Sequence, residues 1–172
     1  MSKEKAKEKA KEICLEMLSQ RGYTIVDTED IIAIKPNGKQ VIVFFNEASS
    51  FDTKSMKEIF SIMRERGVDH SIVVYRDKVT PATKSTLEQT EDMKIELFAE
   101  EDLQINITKH RLQPKFEKLN DEESTEFKKL YGLKFGVLRV DRPISRFYDY
   151  VRGDVIRITQ SNGYINYRIV KG

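Results

Sequence analysis

The chain has 172 residues, of which 34% are charged and 39% hydrophobic, enough for one or two small soluble domains with real cores. Its net charge of only +2 argues against a general nucleic-acid coat, which needs a dense excess of Lys and Arg; local basic patches remain open. No apolar run approaches the length of a membrane span, and the Lys/Glu alternation at the N-terminus is unlike a secretion signal, so the expectation is a protein inside a cell or a virus, with no membrane partner.

Lys3 to Gln20 carries Ala6, Ala10, Ile13, Cys14, Met17 and Leu18 on one helical stripe, with Gly22 a plausible stop. Cys14 is the only cysteine; it excludes an internal disulfide, fits a reducing compartment and reads as a small buried hydrophobe. Tyr23–Val26, Ile31–Lys35 and Gln40–Phe45 read as strands, the last two joined by Pro36-Asn37-Gly38. A helix follows with Met56, Ile59, Phe60 and Met63 on one face, Asp52 or Thr53 as its cap and Gly67 where the chain leaves it. Ser71–Tyr75 is an apolar run short enough for a central strand buried on both faces, which makes the pattern α/β.

Thr80 is a good helix cap and Pro81 a good first helical residue, so the segment from Lys78 to Lys84 opens a helix whose free N–H groups suit phosphate, with Lys78 and Lys84 adding charge. Another strand is expected over Lys94–Phe98, then a short acidic helical turn and Leu103–Ile107, with Asn106-Ile107-Thr108 an unmodified strand segment. Pro114 and the charged run Lys115–Glu123 suit a connector, which places the domain break near Arg111–Pro114 and gives units 1–110 and 111–172. Asn120 or Asp121 caps a helix ending near Tyr131-Gly132, with Phe127, Leu130 and Tyr131 facing inward.

The last stretch reads strand, short helix, strand, tight turn, strand. Val137, Leu138 and Val140 form an apolar run, Pro143 opens a helix, and Arg152-Gly153 stops it. Ile156 and Ile158 alternate with Val155, Arg157 and Thr159, and Ile165, Tyr167 and Ile169 with Tyr164, Asn166 and Arg168, around a Ser161-Asn162-Gly163 turn. The expectation is a small α+β module with an apolar core face and an opposite face carrying arginines. Arg139, Arg142, Arg146, Arg152, Arg157 and Arg168 concentrate there, and arginine's planar fork suits carboxylates at protein interfaces.

Catalytic chemistry is hard to find. His70 and His110 lack zinc-ligand spacing, and no phosphate-binding glycine motif or polymerase metal-aspartate cluster occurs. No catalytic residue, metal or cofactor is expected. Asp52-Thr53-Lys54 and Asp92-Met93-Lys94 have a D-x-K spacing found in metal-dependent nucleases. Yet they fall near helix ends, whereas that chemistry wants carboxylates converging from strands on Mg²⁺. An independent nucleic-acid-binding or nuclease domain is the alternative reading.

Several ordered segments resemble one family. Leu138-Arg139-Val140, Pro143, Arg146-Phe147-Tyr148, Arg152-Gly153-Asp154-Val155-Ile156-Arg157-Ile158, Gly163 and Tyr164 through Tyr167-Arg168 are similar to the end of the fifth subunit shared by the eukaryotic nuclear RNA polymerases, whose archaeal counterpart consists of this module alone. Upstream, Arg21-Gly22-Tyr23, Val43-Phe44-Phe45, Thr80 to Lys84 and Ile105 to His110 continue the likeness. The resemblance implies a non-catalytic polymerase subunit. Its C-terminal module would dock on the largest subunit and contact neighbouring ones, and its N-terminal module would form part of the jaw near downstream duplex DNA. Lys78, Thr80, Pro81, Thr83 and Lys84 would then lie near DNA, touching backbone only and weakly. Arg139, Arg142, Pro143, Arg146, Tyr148, Arg152, Gly153, Tyr167 and Arg168 would contact or shape the subunit interface. The compartment would be the nucleus, or a viral factory or virion. No small-molecule substrate is implied.

Departures are as informative. Arg142 stands where the family has an aspartate cap, with Asp141 displaced by one, and Asp149-Tyr150-Val151 replaces the usual Gly-Leu-Lys. The segment between Asp27 and Gln40 lacks the insertion usual in cellular eukaryotic members, which suggests a divergent lineage such as a large DNA virus with its own polymerase.

Overall fold

In the computed structural model, which describes residues 1–172, helix α1 (Lys3–Gln20) starts at Ser2, whose side-chain oxygen accepts the Lys5 N–H. Its stripe of Ala10, Ile13, Cys14, Met17 and Leu18 is buried. Fully burying a large apolar side chain of this kind contributes roughly 1.5–3 kcal/mol over leaving it exposed. The strands β1 (Thr24–Asp27), β2 (Ile32–Ile34) and β3 (Gln40–Asn46) form an antiparallel meander. Gly38, with φ of +85°, supplies the left-handed residue that the turn between β2 and β3 requires.

After the two-residue strand β4 (Ser50–Phe51), helix α2 (Thr53–Arg66) is capped by Asp52 and closed by Gly67 in the left-handed conformation. Strand β5 (His70–Tyr75) then pairs parallel with β3, as a crossover through a helix requires. Next come β6 (Lys78–Val79), which pairs parallel with β4, helix α3 (Pro81–Gln89) and β7 (Lys94–Ala99), parallel to β5. The main sheet has the order β1-β2-β3-β5-β7. Both faces of β5 are buried, and Ile72 and Val73 are each 0% exposed.

Pairing register fixes which residues share a face. Phe44, Val73 and Leu97 are aligned across β3, β5 and β7, and they join Phe51, Met56, Ile59, Phe60 and Met63 beneath α2. The opposite face carries Val43, Ile72, Val74, Glu96 and Phe98, and the residue following α1, Arg21, reaches Glu96 there.

The chain divides into two units, Met1–Ile105 and Asn106–Gly172. This break lies a few residues before the one placed from composition, because Ile107 packs against the core of the second unit. Residues Ile107–Lys109 form a single 3₁₀ turn, capped by Asn106, where a strand was expected. The Asn106 carboxamide oxygen accepts both the Thr108 N–H, at 3.0 Å, and the Thr108 hydroxyl, at 2.6 Å, and these local bonds favour a turn over a ladder.

The second unit is a four-stranded sheet with two helices. Lys115–Lys118, expected as a connector, is strand β8, followed by α4 (Asp121–Tyr131), β9 (Val137–Arg139), α5 (Pro143–Tyr148), β10 (Val155–Thr159) and β11 (Ile165–Lys171). The sheet order is β8-β10-β11-β9, with β9 parallel to β11 and the other pairs antiparallel. Thus β8 is an edge strand, where charged residues are common, and Phe116 alone carries its inward side.

The hairpin register corrects a second expectation. Ile156 pairs with Arg168, and Ile158 with Asn166. Arg168 therefore shares the face of Ile156 and Ile158, while Arg157 shares the face of Tyr167. The sheet has apolar residues on both sides. One face packs Leu138, Ile144, Tyr150, Ile156, Ile158 and Val170; the other holds Val155 and Ile169, with Phe127 of α4 against Tyr167 at a ring separation of 4.6 Å.

Helix α4 is held by that Phe127 contact and not by the inward face foreseen for it. Leu130 is 76% and Tyr131 65% exposed, although Tyr131 still touches the Phe127 ring at 4.7 Å. Helix α5 ends earlier than expected. Asp149, at φ of +54°, closes it with its N–H on the carbonyls of Arg146 and Ser145. Aspartate is among the few non-glycine residues that tolerate this conformation, and it stands where the family pattern has a glycine. Gly153, at φ of +93°, turns the chain into β10 instead.

Candidate subunit-docking surface

In the second unit, α5 and the end strands of the sheet position the arginines. Arg142 is the cap of α5 but makes no side-chain capping bond. The displaced Asp141 does not cap the helix either: its two carboxylate oxygens accept from Arg139 Nε at 2.9 Å and Nη2 at 2.7 Å. Pro143 opens α5, and the Ser145 hydroxyl donates to the Arg139 carbonyl at 2.7 Å, tying the helix start to β9. Asp141 is held below the usual carboxylate range by that side-chain bond from Arg139.

The remaining arginines are engaged in different degrees. Arg168 lies across Gly136, where an added methyl group would stand 3.1 Å from Nη1, and donates to the Val137 carbonyl at 3.3 Å. Arg152 donates to the Gly172 carbonyl at 3.2 Å. Arg157 pairs with Glu117 at 3.3 Å on the other face. Arg146 is half-buried on α5. Tyr148 stacks on Tyr150 at 5.3 Å and meets Phe147 edge-on at 5.2 Å. The Tyr150 phenol is pushed up chiefly by burial. Gly153 accepts a bond from Lys128 at 2.7 Å through its carbonyl, and its N–H donates to Val170 at 2.9 Å.

Beside this surface lies an open cleft of about 890 Å³ whose lining includes Phe116, Val137, Leu138, Pro143, Ile144 and Ile158, with Arg139, Arg142 and Arg168 around it. Of the residues assigned to the interface from sequence, these three arginines and Pro143 converge on the cleft. Tyr167 does not, since it belongs to the opposite face beside Phe127.

In the first unit, Thr80 caps α3 and its hydroxyl meets that of Thr83 at 2.7 Å. Thr83 is 0% exposed and reaches Thr53 at 3.4 Å, so it fastens the start of α3 toward α2 and presents no contact. Lys78, Pro81 and Lys84 are the exposed members of the segment. Asp52, one of the two D-x-K aspartates, already spends its Oδ1 on the Ser55 N–H at 2.8 Å, and Asp92 is exposed in the loop before β7.

One polar cluster in this unit gave no signal in the sequence. The Arg21 side chain, only 2% exposed, donates from both terminal nitrogens to Glu96 at 2.9 Å. His70 Nε2 lies 2.6 Å from the same carboxylate, and the Tyr23 hydroxyl lies 3.5 Å from His70 Nδ1. Burial works to raise the Glu96 carboxyl, but the bond to His70 and the charge and fork of Arg21 outweigh it and hold it down at about 2. The neighbouring Cys14 thiol is pushed up by burial to about 12, which makes it inert. This cluster is bonded inward on the sheet face by α1 and reads as architecture.

Residues 105–170 match the family described as RNA polymerase Rpb5, C-terminal domain. The chain is 34% identical over 183 aligned residues to a protein of Invertebrate iridescent virus 6, provisionally named DNA-directed RNA polymerase subunit 454R, covering 95% of this chain and 98% of that one. It is 29% identical to DNA-directed RNA polymerases I, II, and III subunit rpabc1 of Dictyostelium discoideum, over 90% of this chain and 92% of that one. The RPABC1 subunit of Caenorhabditis elegans is 32% identical over 76% of this chain and 66% of its own length. With a relative at 34% identity spanning 98% of that relative's length, the chain belongs to the Rpb5 family, that of the fifth subunit shared by the eukaryotic nuclear RNA polymerases.

Proposed function

We propose that this chain is a non-catalytic subunit of a multisubunit DNA-directed RNA polymerase. Residues 106–172 attach it to the largest subunit, and residues 1–105 form part of the jaw beside downstream duplex DNA. The observation that carries the reading is the state of the exposed arginines in the C-terminal unit. The Arg142 side chain makes no hydrogen bond or ion pair and feels only the charge of Asp141 beside it, while Arg168 reaches only the Val137 carbonyl. Exposed guanidiniums without carboxylate partners suit an interface that supplies the carboxylates.

The contribution to transcription is then positional and electrostatic. It needs no metal, cofactor or small-molecule substrate of its own. Lys78 and Lys84, exposed beside the capped start of α3, would touch DNA phosphates without reading bases. The compartment follows the polymerase: the nucleus for a cellular complex, the cytoplasmic factory or virion for a viral one. Tagging the chain in its source and washing through high salt tests this. Recovery of both large polymerase subunits in equal amount is expected; a chain recovered alone, or one that binds duplex DNA tightly by itself, would contradict it.

A further inference from the structure

The C-terminal cleft has an apolar floor and a one-signed rim. Its lining includes Ile107, Phe116, Leu138 and Ile158 below and Arg139, Arg142 and Arg168 at the edge, and no aspartate or glutamate. Arg139 is already matched by Asp141. That leaves the Arg142 guanidinium without a hydrogen bond or ion pair and Arg168 with only the Val137 carbonyl, beside apolar surface that includes the exposed Pro143 and the half-buried Ile107 and Phe116. Resting on the reading above, we infer that this cleft receives an extended segment of a polymerase subunit that carries apolar side chains flanked by carboxylates.

The observations favour peptide over nucleic acid. A phosphate backbone asks for a dense basic track, and bases ask for exposed aromatic faces on which to stack. This cleft offers few cations around aliphatic and proline surface. An apolar residue seated on the floor would cover Pro143 and Phe116. Carboxylates on either side would meet Arg142 and Arg168 bidentately, where the partner excludes water and charge-assisted bonds are strongest. Arg168 is held in place without the partner by its bond to the Val137 carbonyl and the room that Gly136 leaves for it to lie flat, while the first turn of α5 fixes the Arg142 backbone.

The test uses the full tagged chain in its source, with Gln160 at the cleft replaced by the photo-cross-linking residue p-benzoylphenylalanine, beside a chain carrying Arg142→Glu and Arg168→Glu. The expected cross-link falls on an apolar stretch of one polymerase subunit that contains Asp or Glu. The double variant is expected to lose about tenfold or more of the polymerase recovered through high salt. Circular dichroism and the melting temperature of the purified variant separate this loss from misfolding, and Arg142→Gln with Arg168→Gln, which adds no repulsion, should give a smaller loss in the same direction. Cross-links to DNA or to a basic segment would overturn the inference. So would full recovery of the double variant while wild type recovers the polymerase, an outcome that leaves the subunit reading standing. If wild type recovers no polymerase, the subunit reading fails instead.

Discussion

Arg21 in the first unit and Arg142 and Arg168 in the second use the same side chain in opposite ways. In the first, the Arg21 side chain is 2% exposed and both of its terminal nitrogens are taken by Glu96. In the second, Arg142 is unbonded, with only the charge of Asp141 nearby, and Arg168 holds only the Val137 carbonyl. A buried guanidinium must have its full set of partners inside the fold, because desolvating an unpaired charge is costly. A surface guanidinium can wait in water at little cost until another molecule supplies the carboxylate. The contrast teaches where each unit's arginines act: Arg21 on the chain's own stability, the exposed ones on association.

The largest break in that contrast comes from Glu96→Ala. It strands the Arg21 charge inside the unit, so the full-length chain should lose about 3–5 kcal/mol in urea unfolding followed by circular dichroism. A loss below about 1 kcal/mol, the range of an exposed pair, would mean that the cluster is solvated. Acid gives a gentler version. The Glu96 carboxyl titrates at about 2 when folded and near 4.3 when unfolded. Its contribution is therefore fully present above the unfolded value and is lost as pH falls from about 4.3 toward 2. Across that window the melting temperature of wild type should fall more steeply than that of Glu96→Gln. Parallel slopes would remove Glu96 from the account. The smallest effect sharpens the other side: Arg142→Gln should change stability by less than about 0.5 kcal/mol, as an unbonded surface group does.

Much of this architecture was legible because local chemistry decided it. Asp52, Thr80 and Asn120 cap their helices, and the buried run of β5 announced a central strand. What failed to show depended on pairing at a distance. The hairpin register put Arg168 on the face of Ile156 and Arg157 on the other; alternation within each strand cannot reveal how two strands align. Strand β8 has a single inward apolar residue, Phe116, in a charged run, so nothing local marked it as more than a connector. Phe127 anchors α4 through Tyr167, which left Leu130 and Tyr131 outside a face that helical periodicity had drawn inward.

The candidate surface was legible in composition and not in availability. The crowding of Arg139, Arg142, Arg146, Arg152 and Arg168 was plain, but Arg139 turned out to be engaged by the displaced Asp141, and Tyr167 to serve the opposite face. Glu96 was invisible as a partner for Arg21 because the two stand 75 residues apart, and a glutamate alternating with Ile95 and Leu97 looks like an ordinary solvent-side residue. At the other end, Asp149 stands where the family pattern has a glycine, and its φ of +54° is one that aspartate accepts.

The division of labour between the units has one direct measurement: the amount of largest polymerase subunit recovered per tagged chain through high salt, for two double variants in the full-length protein. Arg146→Glu with Arg152→Glu should reduce recovery about tenfold or more, the expected consequence of reversing charges at a docking surface, while Lys78→Glu with Lys84→Glu should retain the wild-type ratio. Wild-type recovery of the arginine variant, with its circular dichroism spectrum unchanged, would contradict attachment through the C-terminal unit.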